Sequence, residues 1–423
     1  MRVDLKKPVN LTQAFQVMDF LDGCRWAEQT GRENEEPLIN YAHSDMREDE
    51  KLLTHWLLYI TDRQMDFRLV WDVGGFVFSD LVHRYTQEGL GVLRIGEEGA
   101  FFAEAEGGGY AFRSRETAPE GNRRLALHGK GAAGSPVRFT SRYYPIDYTS
   151  MYFTLYTLED SFDRSLVEFL ARILRKASAC ADCGDRERIW ALAYGLYKLT
   201  YGARQVSAGE LKSWERDRGA EAARARTEEI DGWLAKCPEA FWKEVAGFYR
   251  GDTRYTAKRV WCSLRDFIKS PEFSCALRAA IGDKIDAEIL EGLFADESRQ
   301  ALELPGDVWN NNSTFRGCLF GSVQTPKEEK MPLNRFLRER FDSDEAIRRA
   351  GCPEQFDVTF DFVPRMCDQQ NCDLCLFNSD NRLSSVCTGQ AQKLCPVALF
   401  SCGYRYICPG RENCRASAFI HGD

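Results

Sequence analysis

The run Leu53-Thr54-His55-Trp56-Leu57-Leu58-Tyr59-Ile60-Thr61-Asp62-Arg63-Gln64 decides how the chain begins to fold. Together with Leu52, the residues Leu53, Trp56, Leu57 and Ile60 recur at three- and four-residue intervals, which a 3.6-residue helix gathers onto one face. Thr61 to Met65 is a polar break suited to a helix–helix turn, and a second apolar run follows from Val70 to Val82. Residues 1–90 are therefore expected to be a helical part.

Beyond residue 91 the character changes. Glycine-rich turns (Glu97-Glu98-Gly99 and Gly107-Gly108-Gly109) separate short runs such as Ala100-Phe101-Phe102-Ala103 and Val137-Arg138-Phe139-Thr140. The pattern predicts hairpins, a small β-rich insertion over residues 91–146. Helical periodicity returns with Leu166, Val167, Leu170, Ile173 and Leu174, and again over 189–199. Ser207 to Asp231 is rich in Ala, Arg and Glu and reads as an exposed helix. Apolar helical segments are expected over 241–268, 275–293 and 315–336. The fold class is mainly α, with a helical domain at 147–350 and a distinct final segment, 351–423.

At 423 residues, with 44% hydrophobic and 28% charged residues, the chain has an ordinary globular composition and can bury a full core. No apolar run approaches a membrane span, and the start, MRVDLKKPVNLTQ, lacks the apolar stretch of a secretory signal. The expected setting is cytoplasmic, without a membrane partner, and as a monomer. Cytosolic thiols stay reduced, so the sixteen cysteines point to metal or redox chemistry rather than disulfides.

Eight of those cysteines fall in the last 57 residues. Cys367, Cys372 and Cys375 form C-x4-C-x2-C, with Cys387 after them; Cys395, Cys402, Cys408 and Cys414 are a second possible quartet. A C-x2-C pair places two thiolates on one turn, and outlying cysteines complete a set of four. With His421 the only imidazole in that segment, thiolate-only ligation favours an iron–sulfur cluster, 4Fe-4S in type, over zinc, which stays open as the alternative. Cys180-x2-Cys183 stands apart with no second pair nearby, and is read equally as a chemical pair or as two idle thiols.

Four segments in order resemble the helix-hairpin-helix DNA glycosylases, the superfamily of endonuclease III. Leu53 to Gln64 looks like the family's early helix, ending in a turn whose glutamine probes the duplex; Gln64 matches that position, with Arg63 beside it. Gly251-Asp252-Thr253-Arg254-Tyr255-Thr256-Ala257-Lys258-Arg259 is similar to the hairpin that opens the next helix. Leu304-Pro305-Gly306-Asp307-Val308-Trp309 resembles the segment carrying the catalytic aspartate. Phe360 to Cys367 leads into a cysteine loop as the last family helix does. The chain departs from the pattern at Thr253, where the hairpin's second glycine would stand, and at Tyr255, where lyase-active members carry lysine. An alternative register puts the hairpin at Leu304-Pro305-Gly306 itself.

The resemblance implies a helix-hairpin-helix fold and a DNA N-glycosylase that flips a damaged or modified base, hydrolyses its glycosidic bond and leaves an abasic site. It implies DNA contacts at Gly251, Thr253, Arg254 and Arg259, where backbone N–H groups and local charge meet phosphate. From Phe248 to Lys269 there are six basic residues against two acidic, a local excess that the net charge of -8 conceals. Asp307 would stabilise the positive charge that builds on the sugar, or activate water. With Tyr255 in the lysine's place the enzyme would be monofunctional; Lys258 is the rival amine nucleophile. The cysteine cluster would fix a basic loop against DNA. Two other classes remain: an iron–sulfur redox, electron-transfer or sensing protein, and a zinc-stabilised nucleic-acid-binding protein without catalysis.

Overall fold

The computed structural model describes residues 39–61, 71, 74–92, 111–114, 125–130, 136–141, 145–181, 183–201, 216–251, 253 and 257–302. Over these the protein is mainly α-helical. The chain divides into two compact units. The first is 37–251 with 262–301, and holds nearly every described residue. The second is 1–36, 252–261 and 302–423, of which 253, 257–261 and 302 are described.

The first unit opens with α1 (Glu48–Thr61). Its sequence stripe is borne out: Leu52, Leu53, Trp56, Leu57 and Ile60 are all buried. Glu48, Asp49 and Glu50 occupy its first turn, where carboxylates complement the exposed backbone N–H groups. α2 (Gly75–Glu88) follows and packs on α1. It ends at Gly89, whose φ of +76° is open to glycine at little cost. A Cβ there would also meet the Glu159 carboxylate at 2.7 Å, the group that accepts from the Leu90 N–H at 2.6 Å.

Three antiparallel strands, β1 (Ala111–Ser114), β2 (Leu125–Lys130) and β3 (Pro136–Ser141), form a sheet in the order β1-β2-β3. Ala111 pairs with His128, and Leu127 with Phe139.

Helices then dominate: α3 (Pro145–Ser161), α4 (Leu166–Ser178), α5 (Asp185–Tyr201), α6 (Arg216–Ala235), α7 (Pro238–Arg250), α8 (Lys258–Lys269), α9 (Pro271–Ile281), α10 (Ala287–Leu293) and α11 (Asp296–Gln300). The turn from α3 to α4 holds Asp163 and Arg164 at φ +50° and +59°. Arg164 N–H donates 2.8 Å to Leu158 O, closing α3. Ser165 then caps α4, its hydroxyl accepting from Glu168 N–H at 2.9 Å, and Ser-x-x-Glu is the capping-box spacing. Pro238 and Pro271 start α7 and α9, where a missing N–H costs nothing.

Two helices organise the unit. α1 packs against α2, α3, α4 and α9, and α5 packs against α3, α4, α7, α10 and α11. At the α4–α5 crossing Gly195 lets the backbones approach, since a Cβ there would overlap the Ile173 side chain. Trp56, Trp233, Tyr85, Phe78 and Phe162 are the largest buried side chains of this unit.

One expectation needs correction. The charged stretch up to Asp231 is not an exposed helix throughout. α6 buries Ala223, Thr227, Ile230 and Trp233 at three- and four-residue spacing, and packs on α3 through a Thr157–Thr227 hydroxyl contact of 3.0 Å. Within 241–268, α7 ends at Arg250 and α8 begins at Lys258; within 275–293, α9 ends at Ile281 and α10 begins at Ala287. Gly251 and Gly282 end the first member of each pair. The expected helix at 315–336 and the cysteine-rich segment lie outside the described residues. Among the described residues no helix is long and apolar enough to cross a membrane.

Candidate functional site

The sequence assigns function to a hairpin at residues 251–259. Chain-locally, α7 ends at Arg250, Gly251 caps it, and α8 begins at Lys258 after a connector of six further residues. The Gly251 N–H donates to Gly247 O and Phe248 O, satisfying the last turn of α7. Ala257 O accepts from Val260 N–H at 3.0 Å and Trp261 N–H at 3.3 Å, which starts α8. Thr253 is exposed, Gly251 and Lys258 are half-buried, and Arg259 is 8% exposed. Arg259 is thus buried, where a phosphate contact calls for an open guanidinium. Arg254, Tyr255, Gln64, Arg63 and Asp307 lie outside the described residues, as do Cys367, Cys372, Cys375, Cys387, Cys395, Cys402, Cys408 and Cys414.

α8 carries a polar centre that the sequence did not signal. On its later turns Asp266 faces α1, and three donors converge on its carboxylate. His55 Nε2 is 3.0 Å from Oδ2, Tyr59 OH donates to the same oxygen at 2.7 Å, and Arg265 Nε lies 3.3 Å from Oδ1. Burial pushes the Asp266 pKa up, but the Arg265 charge and the bonds from His55 and Tyr59 more than offset it, and it ends below the usual carboxylate value. Burial pushes His55 the other way, down from 6.5 despite Asp266, so the ring is neutral and gives its Nε2 proton to the carboxylate. The Tyr59 hydroxyl is held well above its usual 10, by burial first and then by Asp266.

Aromatic rings enclose His55: Phe273 at 4.1 Å, Tyr59 at 4.8 Å, Phe267 at 5.0 Å and Trp71 at 5.4 Å between centroids. Its Nδ1 is buried with no hydrogen-bond partner among the described residues. His55 is fully buried, with Tyr59 and Arg265 half-buried at its edge, and the centre positions α8 against α1. Arg265 and Asp266 are two of the charges the sequence grouped into a basic surface; Asp266 belongs to the interior instead.

Cys180 and Cys183 are both buried at the end of α4. Cys180 Sγ donates to Pro238 O at 3.7 Å. Burial, then the hydrogen bond with Cys180, push the Cys183 thiol up to about 12, so it stays protonated at neutral pH. A protonated thiol is a poor nucleophile, so Cys183 is unreactive toward alkylating agents at neutral pH. Among the described residues, the side chains spaced to hold a metal ion are His43, Asp45 and His83. The sequence could not mark them, because His43 and His83 lie 40 positions apart and share no motif.

No family model, curated protein or solved structure matches the chain.

Proposed function

We propose that the protein is a monofunctional DNA glycosylase, hydrolysing the bond between deoxyribose and a damaged or modified base flipped out of the duplex. The reading rests on the four ordered segments that resemble the helix-hairpin-helix glycosylases. What supports it nearby is the local charge from Phe248 to Lys269, six basic residues against two acidic, on the stretch that joins α7 to α8. In this reading the stretch that leads into α8 meets a backbone phosphate. Lys258, at the first position of α8, adds a cation there.

In this reading Gln64, with Arg63, fills the gap left by the extruded base. Asp307 stabilises the sugar cation or activates water, and Tyr255 stands where a Schiff-base lysine would cut the strand. The donor set of the tail is eight thiols and one imidazole, which suits a 4Fe-4S cluster held by Cys367, Cys372, Cys375 and Cys387 or by the later quartet. A cluster closed by four thiolates supplies rigidity to the loop bearing Lys393, Arg405, Arg411 and Arg415, and no step of the hydrolysis.

The test is a panel of duplexes with damaged and modified bases, scored for alkali-labile breaks. Breaks with wild-type protein that fall at least a hundredfold with Asp307→Asn are expected. Absence of breaks on every duplex would overturn the reading. A borohydride-trapped covalent adduct would instead move the nucleophile to Lys258 and end the monofunctional assignment.

A further inference from the structure

Away from α8, at the start of the first unit, two imidazoles and a carboxylate converge. The His43 and His83 rings are stacked, with centroids 4.3 Å apart and planes 28° from parallel. One ligand atom from each of His43, Asp45 and His83 lies within 4.8 Å of the others. We propose that these three residues bind one divalent transition-metal ion, with Zn²⁺ the reference case. The proposal stands independently of the glycosylase reading and concerns residues which that reading does not use.

Each imidazole is held by a carboxylate on one nitrogen, leaving the other as a donor. His43 Nε2 is 2.6 Å from Asp80 Oδ1, so that nitrogen carries the proton and Nδ1 keeps its lone pair. His83 Nδ1 is 3.4 Å from Glu50 Oε2, which assigns its proton to Nδ1. The His83 Nε2 lone pair then accepts from the side-chain amide of the exposed Gln87 at 2.9 Å. A cation would take the place of that amide proton at little cost, since Gln87 can swing into solvent. Imidazole with its far N–H on a carboxylate is the arrangement that fixes the tautomer and raises the basicity of a metal-ligating histidine.

The carboxylate behind His83 is itself anchored. Glu50 is 3% exposed and accepts from Thr86 Oγ1 at 2.6 Å and from the Arg47 N–H at 3.0 Å. The two rings therefore sit before the carboxylates of Asp80 and Glu50, with Asp45 exposed and able to close from the solvent side. Two nitrogens and one carboxylate oxygen are a borderline-soft set that suits zinc and its first-row neighbours over calcium or magnesium. Ligand atoms around tetrahedral zinc are about 3.3 Å apart, so closure requires each ring to tilt out of the stack about its carboxylate bond. Three protein ligands leave one position for water or an anion.

The chain has five histidines, so the test can be read residue by residue. The full-length protein is treated with diethyl pyrocarbonate at pH 7 in Mg²⁺ or in Zn²⁺, and the modified peptides are mapped by mass spectrometry. Zn²⁺ is expected to slow modification of His43 and His83 together at least about tenfold, with one midpoint, and His55, fully buried, stays unmodified throughout. Asp45→Asn, at an exposed position, should raise that midpoint about tenfold without altering the rates in Mg²⁺. Equal rates in Zn²⁺ and Mg²⁺ would overturn the site. So would protection of His43 that survives His83→Ala unchanged.

Discussion

His55 Nε2 and Asp266 Oδ2 meet at 3.0 Å across 211 residues of sequence, and this bond locks α1 to α8. Asp266→Ala would leave the His55 N–H and the Tyr59 hydroxyl buried without an acceptor. Each orphaned donor costs about 1–3 kcal/mol, so a combined loss of about 3 kcal/mol or more is expected in urea denaturation. Tyr59→Phe removes one bond to a charged acceptor and orphans nothing, costing about 1.5–3 kcal/mol. Equal losses for the two variants would show that the carboxylate does not gather both donors.

The same pair sets a pH dependence. Burial lowers the His55 pKa in the folded protein below the 6.5 of the unfolded chain, so the unfolded state binds the proton more readily. This contribution is whole above pH 6.5 and is lost as the pH falls toward the depressed folded value. Asp266, also lowered, adds a second loss only below the ordinary 3.8. Denaturation midpoints should therefore decline from pH 7 to pH 5 in wild type, and less steeply in His55→Gln.

The stripe in α1 was legible because its spacing is local: five apolar positions on one face need no knowledge of their partners. α6 was misread for the complementary reason. Its buried face is Ala223, Thr227 and Ile230, small or hydroxylated residues amid arginines and glutamates, and only the approach of α3 reveals that they are interior. Nothing local marks Asp266 as interior amid the basic residues around it, and nothing in the sequence joins His43 to His83. These sites are made by helices that meet far along the chain, and single-sequence periodicity carries no such term.

Ser165→Ala tests how the chain is turned from α3 into α4. The Ser165 hydroxyl satisfies the Glu168 N–H, one of the open donors at the helix start, and its loss costs about 1 kcal/mol. Ser165→Thr keeps the hydroxyl, and with it the bond to the nearby Asp49 carboxylate, and should recover most of that. The Val167 N–H already donates to Asp49 Oδ1 at 3.1 Å, so the helix keeps a second anchor and the variant folds.

Gly195→Ala probes the α4–α5 crossing. The new Cβ would overlap Ile173 Cδ1 and lie 3.4 Å from Phe169 Cζ, both on fully buried side chains with little room to yield. Overpacking of this kind costs about 1–3 kcal/mol. Gly195→Ala combined with Ile173→Val, which removes the offending methyl, should be more stable than Gly195→Ala alone. A double variant no better than the single would place the cost in the backbone rather than in this contact.

Cys180 and Cys183 decide whether a C-x2-C pair in this protein is chemical or structural. A thiol at about 12 is thiolate in roughly one molecule in ten thousand at pH 8, and only the thiolate attacks an alkylating agent. Iodoacetamide at that pH should label the exposed Cys237 and Cys275 at least about a hundredfold faster than Cys183, as read by peptide mapping. In urea the burial that raises the Cys183 pKa disappears, and its labelling should rise to match the exposed pair. Rapid labelling of Cys183 in the folded protein would mean that its thiolate is stabilised, and would return the pair to the candidates for metal or redox chemistry.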